Sequence, residues 1–330
     1  MLNPLMDRVI HMAHPFRFPA VMIFMLFTTL LAGCDDAAKR AYEMGINFEK
    51  SRAGLEDKAL ETDDGIRWHL LTSEGEINKP VVLLIHGFGG DSGNWLRFVS
   101  ELDGDFYFVV PDLPGHGDST RELDLNYRMA AQSRRLLTLM DTLGVDTFHV
   151  AGNSMGGAIS ISMARQAPQR VLSMGLINSA GLTRQTPEFK SLLENSASNP
   201  LIPRTPDDFT TTLEWAMEEP PYMPEFFVDI MGQEKARNSA VAQHIFEQLD
   251  EDPGMNLEGT GKLASVSTPT LVVWGQKDRL LGLDNVKTFL EELPHARSAI
   301  LDDIGHVPMA EAPGKTADLF RTFWQEARNP

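Results

Sequence analysis

Cysteine is nearly absent from this chain, with one residue, Cys34, in 330. No disulfide can therefore form within a single copy, whichever compartment it enters. Basic charge is scarce as well. Lys and Arg number 29 against 46 Asp and Glu, a formal charge of -17, and no basic stripe breaks the pattern, which excludes a nucleic-acid surface. Acidity of this kind serves solubility. Apolar runs of membrane-spanning length are missing too: the stretch from Ala20 to Leu31 is interrupted by Thr28 and Thr29 and falls short of the roughly 20 residues a comfortable span needs. No internal repeat or low-complexity tract is visible.

What the N-terminus does contain is Arg8 and Arg17, the short apolar run, and then Ala32-Gly33-Cys34-Asp35-Asp36. A basic start, a short apolar middle and a small-residue end describe a secretory signal. Leu31-Ala32-Gly33-Cys34 resembles the bacterial lipoprotein lipobox, and that resemblance implies cleavage before Cys34 and diacylation of its thiol. The competing reading of the same segment is an uncleaved anchor; both put the protein on a membrane. Acyl chains contribute about 0.8 kcal/mol per buried CH₂, enough in combination to hold a water-soluble domain at the surface. An aspartate directly after the cysteine resembles an inner-membrane retention signal. The expected location is the bacterial cell envelope, at the inner membrane facing the periplasm rather than at the outer membrane.

Between Asp35 and Arg52 polar residues surround Ala37, Ala41, Met44 and Phe48, a pattern that allows an amphipathic helix or a tether. Lys58 to Thr62 and Ile66 to Leu71 then flank Asp63-Asp64-Gly65, and Asp-Gly between extended runs signals a hairpin. From Val81 onward short Val- and Ile-rich runs recur: Val81 to Ile85, Phe106 to Val110, Phe148 to Ala151, Val171 to Ile177, Thr270 to Trp274 and Ser298 to Leu301. Such runs fit strands covered on both faces. Between them, Met129, Ser133, Leu136, Leu137, Met140 and Leu143 recur at helical spacing, and Gly144 supplies a stop. Alternating strands and helices predict a mostly parallel, doubly wound α/β sheet. The alternation fails from about Leu182 to Leu263, a proline-rich stretch with Phe209, Trp215, Met217, Tyr222, Met223, Phe226 and Phe227. It is too long for a plain loop and predicts an inserted, mainly helical cap. The expected organisation is a signal peptide over 1–33, a lipidated N-terminus and tether over 34–53, a catalytic domain over 54–182 and 264–330, and the cap over 183–263.

The chemistry concentrates where strands end. Gly152-Asn153-Ser154-Met155-Gly156 closes one apolar run, and G-x-S-x-G is the turn that lifts a serine hydroxyl above a sheet, with no room for side chains at the glycines. The helix that starts at Ser154 points its positive end at a developing oxyanion. Asp278 lies in the loop after Thr270 to Trp274, and His306 in the loop after the last strand. The order Ser154, Asp278, His306 is the Ser…Asp…His order of one hydrolase architecture. Asp284, Asp302 and Asp303 compete for the role of Asp278; Gly275-x-x-Asp278, directly after a strand, favours the latter. His86-Gly87-Phe88-Gly89-Gly90 follows the strand Val81 to Ile85, so the backbone N–H groups of Phe88 and Met155 are the expected oxyanion donors. His86 and His116 are expected to brace their loops.

These segments, with Asp112 to Ser119 and Gly305-His306-Val307-Pro308, make the chain resemble the α/β-hydrolase superfamily across roughly Leu55 to Phe323. Together with the lipobox, Gly-Asn-Ser-Met-Gly-Gly is similar to bacterial membrane-associated lipases and esterases, including monoacylglycerol-lipase-like members. The resemblance implies a serine hydrolase with no metal and no organic cofactor, and a membrane tether with an apolar cap points to short- or medium-chain or monoacyl lipid esters as substrates. Ser154 is then the nucleophile, His306 the base, Asp278 its partner, and Cys34 the lipidation site. Carbon–carbon bond hydrolases of the meta-cleavage type share the elbow but carry tryptophan after the catalytic histidine, where this chain has Val307. The other alternative is a binding module on a hydrolase fold, which would be expected to have lost the nucleophile or the base.

Overall fold

The computed structural model describes residues 35–102, 104–182, 185–196 and 198–327. The signal segment and Cys34 lie outside the described residues. Two compact units divide the chain, Met1–Ala41 and Tyr42–Pro330, and the architecture below is that of the second. Helix α1 (Asp35–Ala53) leads into it. Among the described residues no helix is long and apolar enough to cross a membrane.

Eight strands form one sheet in the order β1-β2-β4-β3-β5-β6-β7-β8. They are β1 (Leu55–Glu61), β2 (Arg67–Ser73), β3 (Val81–Ile85), β4 (Tyr107–Pro111), β5 (Phe148–Asn153), β6 (Val171–Ile177), β7 (Thr270–Gly275) and β8 (Ala296–Leu301). The hairpin expected around Asp63-Asp64-Gly65 is β1–β2, with Glu61 opposite Arg67 and Gly65 in the left-handed region at φ 79°. β2 pairs antiparallel with β4, and every later pairing is parallel. The sheet is therefore mostly parallel, as the sequence pattern predicts.

Two apolar cores flank it, and period-two alternation sorts residues between them. Val81, Leu83 and Ile85 of β3 join one core, with α3 (Met129–Thr142), α4 (Met155–Gln166) and α9 (Asp284–Glu292). Val82 and Leu84 join the other, with α2 (Leu96–Ser100) and α11 (Pro313–Ala327). There Phe98 meets Phe320 edge to face at 5.8 Å, and Phe320 meets Trp324 at a tilt with centroids 5.1 Å apart. β3, β4 and β5 are buried along their whole length, and burial on both faces explains why they are predominantly apolar rather than alternating.

Between β6 and β7, four α-helices among the described residues interrupt the alternation: α5 (Pro187–Asn195), α6 (Asp208–Ala216), α7 (Glu225–Arg237) and α8 (Ser239–Asp250). Thr186 caps α5 by accepting from Phe189 N, with Pro187 in its first turn. The insertion is tied to loops at the carboxyl ends of the strands. Lys235 pairs with Asp91 at 2.9 Å, Tyr127 N donates to Gln248 at 2.8 Å, and the backbone of Thr186 donates to Leu280 O at 3.0 Å. Phe189 and Phe209 are buried, whereas Tyr222 is 85% exposed, so the apolar residues of this stretch do not share one fate.

Candidate active site

Open parallel sheets bind ligands at the carboxyl ends of their strands, and the singled-out residues gather there. Ser154 sits between β5 and α4 with φ 55° and ψ -120°, a conformation that costs a non-glycine residue about 1–3 kcal/mol and persists only when its surroundings enforce it. The glycines show what enforces it. A Cβ on Gly152 would collide with the backbone of Gly156, and one on Gly156 with the carbonyl of Ile85. The strand, the turn and the helix are thus pressed together at the two glycine positions. Ser154 N donates to Ile177 O at 3.0 Å, which fastens the turn to β6.

The loop after β3 lies against this turn. A Cβ on Gly87 would meet Ser154 Cβ at 3.0 Å and Asn153 Oδ1 at 3.2 Å. His86 sets the orientation of the next peptide. Its Nε2 accepts from Leu113 N at 3.0 Å, which leaves the proton on Nδ1, donated to Gly87 O at 2.7 Å. Burial holds the His86 imidazole below its usual pKa, partly offset by that carbonyl, so the ring is neutral. A trans peptide points its N–H opposite its carbonyl, and the Phe88 N–H is therefore directed away from His86. Neither Phe88 N nor Met155 N donates a hydrogen bond among the described residues. Met155 follows Ser154 directly, and Phe88 follows Gly87, whose position lies against Ser154. The Phe88 ring packs against His116 (6.1 Å) and against Phe246 of α8 (5.7 Å).

Asp278 and His306 come together across β7 and β8. His306 Nδ1 lies 2.7 Å from Asp278 Oδ2, and the two side chains are 5% and 1% exposed. Asp278 Oδ1 accepts from Leu280 N at 2.8 Å and Leu281 N at 3.1 Å. Its Oδ2 also accepts from Asn178 Nδ2 at 2.7 Å. Four donors thus fix the orientation of one buried carboxylate. The competing aspartates fall elsewhere: Asp302 and Asp303 are exposed, and Asp303 occupies a left-handed turn at φ 58°. Asn153 Nδ2 reaches the carbonyl of His306 at 2.9 Å, so the residue before Ser154 holds the loop that carries the imidazole.

Two contributors went unnoticed in the sequence. Asn178 ends β6 at φ 42°; besides binding Asp278, it accepts from Gly275 N through Oδ1 at 3.1 Å. Its signal was position, directly after a buried strand at the edge that also carries Ser154 and Asp278. The second is the pair His69–Asp112, 2.7 Å apart, behind the Phe88 loop. Asp112 also accepts from Ser92 N at 2.8 Å and Asp118 N at 2.9 Å. The hydrogen bond to Asp112 pushes the pKa of His69 up to about 9, against the opposing effect of burial. Burial of Asp112 opposes its charge, but His69 and the two backbone donors overcome this and hold its carboxyl well below the usual range. Burial, with smaller contributions from His86 and Lys235, keeps the pKa of His116 well below its usual value.

Known proteins share this arrangement of the chain. A family model described as the alpha/beta hydrolase fold matches residues 80–313. Lipase 1 of Psychrobacter immobilis is 36% identical over 306 residues, covering 90% of this chain and 94% of that protein. Monoacylglycerol lipase ABHD6 of Rattus norvegicus is 27% identical over 266 residues, 77% of each chain. Among solved structures, a membrane phospholipase A described as a novel bacterial virulence factor aligns with a TM-score of 0.85 at 32% identity, covering 94% of this chain and 97% of that one. With the family model spanning the sheet from β3 past β8 and sequence identity extending over nine-tenths of its length, the chain belongs to the α/β-hydrolase fold family.

Proposed function

We propose that the protein is a carboxylic ester hydrolase of the lipase/esterase type, tethered to a membrane through Cys34 and working through an acyl-enzyme on Ser154. The observation that carries this reading is the buried Asp278–His306 pair at 2.7 Å, tied by Asn153 to the strand that delivers Ser154. Asp278 accepts the Nδ1 proton of His306, which leaves Nε2 as the basic nitrogen. No hydrogen bond of the Ser154 hydroxyl occurs among the described residues, so proton transfer to Nε2 belongs to the proposal.

In the first half-reaction Ser154 Oγ bonds to the ester carbonyl carbon while Nε2 takes its proton. The carbonyl oxygen becomes an oxyanion that the Phe88 and Met155 N–H groups stabilise. The carbon–oxygen bond to the alcohol then breaks, and His306 returns the proton to the departing alkoxide. In the second half, Nε2 accepts a proton from water, whose oxygen attacks the acyl carbon, and Ser154 leaves with the proton restored. No metal or organic cofactor enters these steps.

Substrate class follows from the relatives and the insertion. Proteins named lipase and monoacylglycerol lipase resemble this chain over most of its length, and the proposed substrates are short- to medium-chain or monoacyl lipid esters. The four inserted helices, residues 183–263 in the expected domain division, act as a cap whose Phe246 meets the Phe88 side chain. Fluorophosphonate labelling of the full chain in detergent tests the nucleophile. One label per chain, abolished by Ser154→Ala, is the expected result; equal labelling of the variant would place the nucleophile elsewhere and end the proposal.

A further inference from the structure

Glu311 lies in the one-turn helix α10 (Pro308–Glu311) after the His306 loop, and its carboxylate accepts from two separate segments. Oε2 accepts from Gly305 N at 3.0 Å, from Glu218 N at 2.8 Å and from Glu219 N at 3.2 Å. Oε1 accepts from Val307 N at 3.1 Å. Gly305 and Val307 flank His306, while Glu218 and Glu219 follow α6 in the insertion. The contact between the segments is direct, for His306 N donates to Ala216 O at 2.9 Å and a Cβ on Gly305 would come within 2.6 Å of Glu218 N. Arg279, next to Asp278, secures the same segment by donating to Glu214 O at 2.6 Å and pairing with Glu218.

We infer that Glu311 is a positioning residue for His306, clamping the base loop onto the Ala216–Glu219 segment so that the place of the imidazole depends on the docked insertion. This rests on the reading of His306 as the base. Four main-chain donors converge on the Glu311 carboxylate, three at Oε2 and one at Oε1, so the residue acts through the His306 loop and not on the ester. The Asp278 bond fixes the tilt of the ring, but the ring's location is set by its backbone. That backbone is gripped by Asn153 from below and by Ala216 and the Glu311 clamp from the insertion. Misplacing a catalytic group by about 1 Å can cost roughly 100-fold in rate, so looseness here should appear in kcat.

A purely local role, capping α10 through Val307, predicts a different pattern. It would lower thermal stability and leave the insertion untouched. The test compares Glu311→Gln and Glu311→Ala in the full chain by ester kinetics and by hydrogen exchange of individual segments. The expected result is a kcat lowered about 10-fold for Gln and about 100-fold for Ala, with KM within about twofold. Exchange should quicken together at 305–307 and 217–219. If Ala fails to fold, Gln alone decides. A folded Gln variant with unchanged kcat, or faster exchange confined to 305–307, would overturn the inference. Failure of the wild type to turn over any ester would instead count against the functional reading, while the exchange data would still decide whether the clamp exists.

Discussion

A single amide, that of Asn178 directly after β6, joins three strand ends: Nδ2 donates to Asp278 after β7 at 2.7 Å and to Gly305 O after β8 at 3.4 Å, and Oδ1 accepts from Gly275 N at 3.1 Å. Removing it leaves one buried carboxylate oxygen supported by His306 alone and one buried N–H unpaired, a loss of about 1–3 kcal/mol. Asn178→Gly is the informative substitution, because glycine accepts the φ of 42° without strain and isolates the hydrogen bonds. The expected outcome is kcat for an ester lowered about 10- to 100-fold with the chain still folded, checked by steady-state kinetics beside circular dichroism; an unchanged kcat would make Asn178 a strand terminator only. Such a residue is hard to read from sequence, since an asparagine after a strand is an ordinary turn former. Ser154 was legible for the opposite reason: the glycines at 152 and 156 exist because a Cβ at either would strike backbone. Asp278 stood among four aspartates until the 2.7 Å contact with His306 distinguished it.

At the level of elements, His69 of β2 acts as a cross-tie. Nδ1 meets Asp112 at 2.7 Å, beyond the end of β4, and Nε2 meets Asp57 of β1 at 2.9 Å. Asp112 in turn holds the backbone of Ser92 and Asp118, so the loops around His86 and His116 hang from one ionic pair. With a folded pKa of about 9 against an ordinary 6.5, the pair's stabilisation is complete below about pH 6.5 and disappears as pH rises through about 9. Solvent at the part-exposed ring reduces the full linkage value of about 3 kcal/mol to on the order of 2 kcal/mol. Wild-type melting temperature should therefore fall between pH 7 and 9.5 more steeply than that of His69→Gln, measured by scanning calorimetry in matched buffers. Parallel slopes would show that His69 is not the group that titrates. The strands themselves were readable from their apolar runs, and helix α3 (Met129–Thr142) from its period. The cross-tie was not, because His69 and Asp112 meet only through the antiparallel register that sets Leu70 opposite Pro111.

On the scale of the whole molecule, one sheet brings five separate chain segments to a common edge: the loops after β3, β5, β6, β7 and β8. Between β6 and β7 the four inserted helices are fastened to that edge at Asp91 through Lys235, at Tyr127 through Gln248 and at Glu311 through Glu218 and Glu219. The presence of an insertion was legible from broken alternation and proline content. Its attachment points were not, since each pairs residues roughly 90 to 145 positions apart, and distances of that kind are fixed by the fold. The proposed ester hydrolysis through Ser154 rests on the carboxyl edge, the elbow and the buried pair together. The most direct test is the initial hydrolysis rate of p-nitrophenyl esters from acetyl to palmitoyl, for the full chain in detergent and for the same chain with Ser154→Ala. A wild-type rate that peaks at intermediate acyl length and falls at least about 1,000-fold in the variant is the predicted result; comparable rates for the two proteins, at any chain length, would contradict the account.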